Sequence, residues 1–163
     1  MDVVGGEAAV RRAVISDAGQ LAALRRQMFL DMGAAGSGDG AWLERATAWF
    51  AGAAEDPDVC VMVAELDGRL VASAMGEARR GAPAPGNPSG ITVHLSNVVT
   101  LPLARRRGLA RQCLTAVLTW AQQELGVTRI QLNATPDGRR LYEQLGFLPS
   151  SHPGMTLIIP QDS

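Results

Sequence analysis

The chain has 163 residues, of which 47% are hydrophobic, and a formal net charge of −1. This length and composition are typical of a globular domain with a hydrophobic core, and we expect a single domain over residues 1–163. The near-neutral charge argues against a general affinity for nucleic acid or for an anionic membrane surface.

No targeting or membrane-spanning pattern is apparent in the sequence. Residues 1–6 lack a basic segment followed by an apolar stretch, and no apolar run approaches the roughly 20 residues that cross a bilayer. We therefore expect a soluble, cytoplasmic protein. Cys60 and Cys113 lie in apolar patterns without metal-ligand spacing, so we expect two buried thiols and no metal site.

The first half of the chain predicts a strand, two helices and a pair of strands. An apolar stripe of Leu21, Leu24, Met28 and Met32 indicates the first helix, which Ser16 or Asp17 can cap. Asp67-Gly68 is a good hairpin turn between the later strands. The predicted elements are a strand at 7–14, a helix from 16 or 17, a loop at 33–40, a helix around 42–50, and strands at 59–66 and 70–76.

The second half predicts a loop rich in Gly and Pro, followed by alternating strands and helices. Asn97 interrupts an apolar alternation and indicates an irregular strand at that point. The predicted elements are a loop at 79–90, a strand at 91–101, a helix from Gly108 to near Gly126, a strand at 129–134, a helix at 137–145 and a strand at 155–159. This order predicts an α/β protein of mixed layers.

One segment has the pattern of a site for a phosphate-bearing ligand. A strand ends at Leu101-Pro102, three arginines follow at 105–107, and Gly108 opens a long amphipathic helix. The first N–H groups of a helix lack partners within it and carry partial positive charge, so they bind anions. Gly108 would let a ligand approach the backbone, and the arginines add forked donors.

Two blocks of sequence resemble the GNAT superfamily of acyl-CoA-dependent N-acyltransferases. Arg105-x-x-Gly108-x-Ala110 matches the family's Arg/Gln-x-x-Gly-x-Gly/Ala signature, and residues 141–147 match its Leu-Tyr-x-x-Leu-Gly-Phe ending. The similarity covers residues 91–150. It implies a GNAT-like fold, a central twisted mixed sheet with helices on both faces, in a single N-acetyltransferase domain. It also implies transfer of the acetyl group of acetyl-CoA, as co-substrate, to a primary amine by direct attack.

The resemblance also assigns residues to the co-substrate. In the family, the loop and helix N-terminus hold the pyrophosphate, and free N–H groups of the bulged fourth strand bind the pantetheine arm and the acetyl oxygen. A polar residue after the fifth strand corresponds here to Thr135, which is expected to hydrogen-bond the pantetheine arm. The matching positions are Val98, Val99, Thr100, Arg105, Arg106, Arg107, Gly108, Leu109, Ala110, Arg111 and Thr135.

Tyr142 occupies the family's Tyr position, and it is the only Tyr in the chain. A phenol, with a pKa near 10, can protonate a departing thiolate, whose thiol titrates near 8.5, at modest cost. Tyr142 is therefore the expected catalytic acid, although a packing role for its ring is the alternative.

The base is not assigned by the sequence. Many relatives carry a Glu on the fourth strand, where this chain has Ser96 and Asn97. Glu77, Asp31 and His94 remain candidates, as does a chain of water molecules, and without a strand carboxylate we expect the rate to rise with pH toward the pKa of the amine.

The acceptor is predicted only as a small-molecule or peptide amine. The resemblance implies a position between the first two helices and the 79–90 loop, lined by Phe29, Asp31, Met32 and Trp42, and it makes a homodimer one expected assembly. We expect no nucleic-acid or membrane partner. A non-catalytic acyl-CoA-binding module is the main alternative, and an RNA-binding domain, suggested by the three arginines, is disfavoured by the charge and the few aromatic residues.

Overall fold

A mixed sheet forms the centre of the structure, a computed structural model that describes residues 6–161. The chain consists of two compact units that meet in sequence between Asn133 and Ala134. The first unit contains β1 (Ala9–Arg12), α1 (Ala18–Asp31), α2 (Gly40–Ala53), β2 (Val59–Leu66), β3 (Arg69–Arg80), β4 (Ile91–Thr100), α3 (Leu109–Gln123) and β5 (Ile130–Gln131). The second unit contains α4 (Arg139–Gln144).

In the described residues, five strands lie in the order β1-β2-β3-β4-β5. Neighbours are antiparallel as far as β4, and β4 and β5 are parallel. The β2–β3 hairpin turns at Asp67 and Gly68, whose φ angles of 50° and 77° match the positive values that a tight hairpin turn requires. The predicted turn at this position is confirmed.

Helices cover both faces of the sheet in the first unit. Met75 on β3 belongs to the core that also contains Leu21, Leu24 and Phe50 of α1 and α2. The next residue, Gly76, faces α3, because successive residues of a strand point to opposite faces. A Cβ at Gly76 would lie 2.7 Å from Val117 Cγ1, so the glycine permits α3 to pack closely on the sheet. The GNAT-like architecture of a mixed sheet between helices is confirmed.

Several predicted boundaries differ from the structure. β3 continues to Arg80 rather than ending at Gly76, because it pairs with β4 as far as the Arg80–Ile91 pair. The loop predicted at 79–90 is confirmed for residues 81–90, because only Arg79 and Arg80 belong to β3. The Gly81 N–H bond to Gly90 O at 2.8 Å closes this loop. Met32 lies beyond α1 and is 55% exposed, so the apolar stripe of α1 ends at Met28.

Two predicted strands near the end of the chain need correction. The strand expected at 129–134 is reduced to Ile130–Gln131, because only Val93 and His94 of β4 pair with it. The strand predicted at 155–159 is wrong: these described residues form no strand, and Met155 and Leu157 are largely exposed. An apolar run has the propensity for a strand but forms one only where a neighbouring strand supplies backbone partners.

Both cysteines are buried free thiols, as predicted. Burial raises the pKa of Cys60 to about 11 and that of Cys113 to about 12.

Within residues 6–161, no helix combines the length and the apolar character needed to cross a membrane.

Candidate active site

A bulge in β4 is the first component of the candidate site. Ser73 pairs with Val99 and Met75 pairs with Ser96, so β4 has one more residue than β3 between these pairs. Asn97 lies in the bulge with a φ of 53°. Its buried side chain donates from Nδ2 to Ser73 Oγ at 3.2 Å, and its own carbonyl accepts from Ser73 Oγ at 3.1 Å. The irregularity predicted at Asn97 is therefore confirmed, and its amide is satisfied.

Part of β4 has an open edge. Pairing with β5 ends at His94, and no other strand of the described residues lies along β4 beyond that point. The Leu101 N–H donates to Val71 O on β3 at 2.8 Å. Because N–H groups two residues apart in a strand point to the same side, the Val99 N–H also points toward β3. The N–H groups of Val98 and Thr100 consequently face the open edge. Of the three backbone donors expected from the sequence, Val99 is the one that faces β3 instead.

The loop after β4 leads directly to the N-terminus of α3. Arg106 and Gly108 both have left-handed backbone conformations, with φ angles of 63° and 71°. The first hydrogen bond within α3 runs from the Gln112 N–H to Gly108 O at 3.0 Å. The N–H groups of Leu109 and Ala110 come before this bond and have no acceptor within the helix. A Cβ at Gly108 would meet no atom within 4 Å, which means that the backbone there borders open space.

The arginines of this loop have different surroundings. Arg105 donates from Nη2 to Asp31 Oδ2 at 2.7 Å and from Nε to Thr100 O at 3.2 Å. Arg107 donates from Nη2 to Gly6 O at 2.7 Å. Leu109 is 4% exposed, so its side chain is not available to a ligand. Because Asp31 is paired with Arg105, its carboxylate is already occupied as a hydrogen-bond acceptor.

A cavity of about 290 Å³ lies between the first two helices and the strands β3 and β4. Neither the 79–90 segment nor any of the four predicted lining residues contributes to it. Phe29 and Trp42 instead contact each other edge to face, with ring centroids 5.7 Å apart. The lining residues are Arg25, Ala46, Trp49, Phe50, Met75, Glu77 and Ser96.

Two groups of opposite charge line this cavity. Arg25 donates from Nη1 to Asn97 Oδ1 at 3.2 Å, and its guanidinium lies 5.0 Å from the centre of the Phe29 ring. Burial lowers the pKa of Arg25, and the nearby charge of Glu77 acts in the opposite direction. Glu77 is paired across the strands with His94, whose pKa is lowered by burial and by Arg79. Of the three candidate bases, Glu77 is the one that lines the cavity.

The second unit holds the remaining two predicted residues. The hydroxyl of Thr135 accepts from the Gly138 N–H at 3.3 Å, and its carbonyl accepts from the Arg139 N–H at 3.0 Å, so Thr135 stabilises the start of α4. Tyr142 on α4 is half-buried and contacts Phe147 edge to face, with ring centroids 6.0 Å apart. Burial raises the pKa of Tyr142, which keeps its phenol protonated at neutral pH.

The structure thus brings together the predicted positions from Val98 to Arg111 along one edge of the first unit, while Thr135 and Tyr142 belong to the second. Sequence reasoning missed Arg25 as a site residue. A signal was present, because Arg25 lies within the helical spacing of Leu21, Leu24 and Met28, where an apolar residue is expected.

Comparison with known proteins supports the family resemblance found in the sequence. A model of the acetyltransferase (GNAT) family matches residues 24–147. A search of curated protein sequences found no significant match.

Three similar solved structures share the fold. A predicted acetyltransferase from Clostridium acetobutylicum, solved with acetyl-CoA, is 22% identical with a TM-score of 0.82 over 93% of this chain and 96% of its own. A GCN5-related N-acetyltransferase from Ralstonia eutropha is 21% identical with a TM-score of 0.80 over 93% and 99%. Glucosamine-6-phosphate N-acetyltransferase from Arabidopsis thaliana is 16% identical with a TM-score of 0.73 over 94% and 99%.

Since the family match spans residues 24–147, most of the chain, it shows more than a common fold. The chain belongs to the GNAT family of acetyltransferases.

Proposed function

We propose that this acetyltransferase moves the acetyl group of acetyl-CoA to a primary amine by direct attack, without a covalent enzyme intermediate. One observation carries the proposal. The open edge of β4 at Val98 and Thr100 continues into the left-handed loop and the α3 N-terminus at Gly108. A row of backbone donors followed by an anion-binding helix end suits an extended ligand with a pyrophosphate group.

The residues present fit acetyl-CoA as co-substrate. Leu109 and Ala110 offer N–H groups ahead of the helical ladder, and the absence of a Cβ at Gly108 leaves room for the pyrophosphate. The side chains of Arg106 and Arg111 add positive charge at the same helix end. Val98 and Thr100 offer N–H groups for the amide oxygens of the pantetheine arm and for the acetyl oxygen. Thr135 remains a proposed contact of the pantetheine arm, on the basis of its position in the motif.

The proposed reaction forms a C–N bond and breaks the C–S bond of the thioester. The amine nitrogen attacks the acetyl carbon, and the negative charge that develops on the acetyl oxygen is stabilised by a β4 N–H group. A fixed donor of this kind is worth about 3 kcal/mol. The thiolate leaves with a proton from Tyr142, and the amine nitrogen gives up a proton to Glu77 or to solvent. Tyr142 is proposed from its place in the family motif and from its protonated state.

Glu77 is the proposed base because, of the three candidates, it is the one that lines the cavity. We expect Glu77→Gln to lower kcat/KM by about 10²- to 10⁴-fold at neutral pH, the usual contribution of a general base. The loss should shrink as the pH approaches the pKa of the amine, since the amine then loses its proton to solvent unaided. Release of free thiol from acetyl-CoA over a panel of amines and pH values measures both effects.

Glu44→Gln is the matched control, because Glu44 is exposed on α2 and does not line the cavity. A pH profile that is identical in Glu77→Gln and the parent would assign deprotonation to solvent. Acetyl-CoA binding without thiol release on any amine of the panel would instead favour a non-catalytic acyl-CoA-binding module.

A further inference from the structure

Arg25 is a half-buried cation without a carboxylate partner. Among the described residues, no carboxylate oxygen lies within 4.0 Å of its guanidinium, although the charge of Glu77 acts on it. Its contacts are the neutral amide oxygen of Asn97 and the face of Phe29. Other arginines of the fold are paired directly, as Arg11 is with Asp17 at 2.7 Å and Arg105 is with Asp31 at 2.7 Å.

An arginine in this position has unused binding capacity. A guanidinium carries five N–H donors, and the bond to Asn97 uses one of them. The remaining donors form a planar fork that matches the two oxygens of a carboxylate. Partial burial disfavours the cation, and an anion bound beside it would relieve that cost.

The other residues that line the cavity indicate which further groups a ligand with such an anion carries. Glu77 supplies one negative charge, which balances Arg25 and suits an ammonium or amine group. Trp49, Phe50 and Met75 supply apolar walls. The volume of about 290 Å³ is at the small end of ligand pockets, which span roughly 300–1,000 Å³. One cation and one anion between apolar walls match a compact zwitterion with an apolar side chain.

We propose that the acceptor is a small apolar amino acid whose carboxylate is bound by Arg25 and whose amine lies toward Glu77. The inference rests on the proposed acetyl transfer and names its substrate class. A phosphate-bearing amine fits less well, because its second negative charge would have no cation of its own in the cavity and would face Glu77. Arg25 would then select the substrate, while Glu77 would receive the proton that the amine loses.

The test compares two acceptors that differ only in the carboxylate, L-leucine and 3-methylbutylamine, with O-phosphoethanolamine as the phosphate-bearing probe. We expect the parent to favour L-leucine by at least about tenfold in kcat/KM, measured as thiol release from acetyl-CoA. Arg25→Gln should lose this preference, and Arg25→Lys, which retains the charge but not the fork, should retain part of it. Arg26→Gln is the matched control, since Arg26 is the next residue of α1 and is exposed.

Calorimetry in the presence of CoA gives the same comparison without turnover. Equal binding of L-leucine and 3-methylbutylamine to the parent, a preference that survives Arg25→Gln, or stronger binding of O-phosphoethanolamine would each overturn the inference. Acetyl-CoA binding is measured separately, so the two proposals fail separately. If thiol is released with other amines of the panel and L-leucine is not preferred, the acetyl transfer stands and the substrate class falls. If L-leucine binding depends on Arg25 while acetyl-CoA does not bind, the proposed acetyl transfer falls.

Discussion

At the scale of single residues, the proposed chemistry depends most on Tyr142. Burial raises its pKa above the ordinary value of about 10, so the phenol holds its proton throughout the neutral range. The active form of a general acid is the protonated one. Any loss of activity caused by ionisation of Tyr142 should therefore appear at a higher pH than it would for an exposed Tyr.

Replacing Tyr142 with Phe tests the role of the hydroxyl. The variant keeps the ring and its edge contact with Phe147 and removes one oxygen. We expect turnover to fall by about 10²- to 10⁴-fold, because the departing thiolate loses its proton donor. Affinity for acetyl-CoA should change little, since the proposed pyrophosphate contacts are elsewhere in the chain. Steady-state kinetics and calorimetry measure the two quantities.

Acyl donors with more acidic thiol leaving groups provide the control for Tyr142→Phe. Their thiolates need a proton less, so the variant should recover part of its rate with them. A variant that turns over within about threefold of the parent would show that the hydroxyl takes no part in proton transfer and that Tyr142 is a packing residue.

Single residues also show where sequence reasoning reaches its limit. The alternation of β4 was enough to predict an irregularity at Asn97, because a polar residue broke an apolar pattern. The pairing of Asp31 with Arg105 joins residues 74 positions apart, and no local pattern encodes it. Arg25 could have been singled out by its place in an apolar stripe, but the role proposed for it depends on the cavity that it lines. Tertiary contacts therefore decide which of several plausible polar residues share a site.

At the scale of elements, β4 and α3 were the most predictable parts of the site. A long apolar alternation and a 3.6-residue periodicity are strong signals. β4 begins at the predicted residue, and α3 begins at Leu109, one residue after the predicted start. β5 was less predictable, because its length depends on its partner. Only Val93 and His94 of β4 pair with it, and a strand cannot extend past the residues that bond to it.

The two ends of α3 allow a matched test of the pyrophosphate site. Gly108 and Gly126 have φ angles of 71° and 62°, and a Cβ at either would meet nothing within 4 Å. Asn tolerates this left-handed conformation better than other residues with side chains. We expect Gly108→Asn to lower acetyl-CoA affinity by at least about tenfold, because its side chain enters the space proposed for the pyrophosphate.

Gly126→Asn should bind acetyl-CoA like the parent. Both variants should lose a similar amount of stability, on the order of 1 kcal/mol, because the backbone strain is the same. Calorimetric titration and denaturant unfolding separate the two effects. Equal affinity in both variants would place the pyrophosphate away from the N-terminus of α3.

At the scale of the whole molecule, the sequence predicted the layer order and the family, and it was wrong about the last strand. Helices and strands between residues 9 and 123 have strong periodic signals, and their order is confirmed. The apolar run at 155–159 has the same local signal but no strand partner among the described residues. A propensity that is local in sequence does not specify a strand whose partners are remote. Cytoplasmic location and a homodimer stay predictions.

The property of the whole molecule that tests the proposed co-substrate is its stability in the presence of acetyl-CoA. A ligand that binds only the folded state stabilises it by mass action, by about 2.7 kcal/mol at 100 times its dissociation constant. For a chain of this length, about 2–4 °C per kcal/mol predicts a rise in Tm of about 5–11 °C. CoA should produce much of this rise, because it has the same pyrophosphate and pantetheine arm, and Gly108→Asn should reduce it. An unchanged Tm at millimolar acetyl-CoA would contradict the proposed co-substrate, whereas a rise that survives Gly108→Asn would keep the co-substrate and move its pyrophosphate elsewhere.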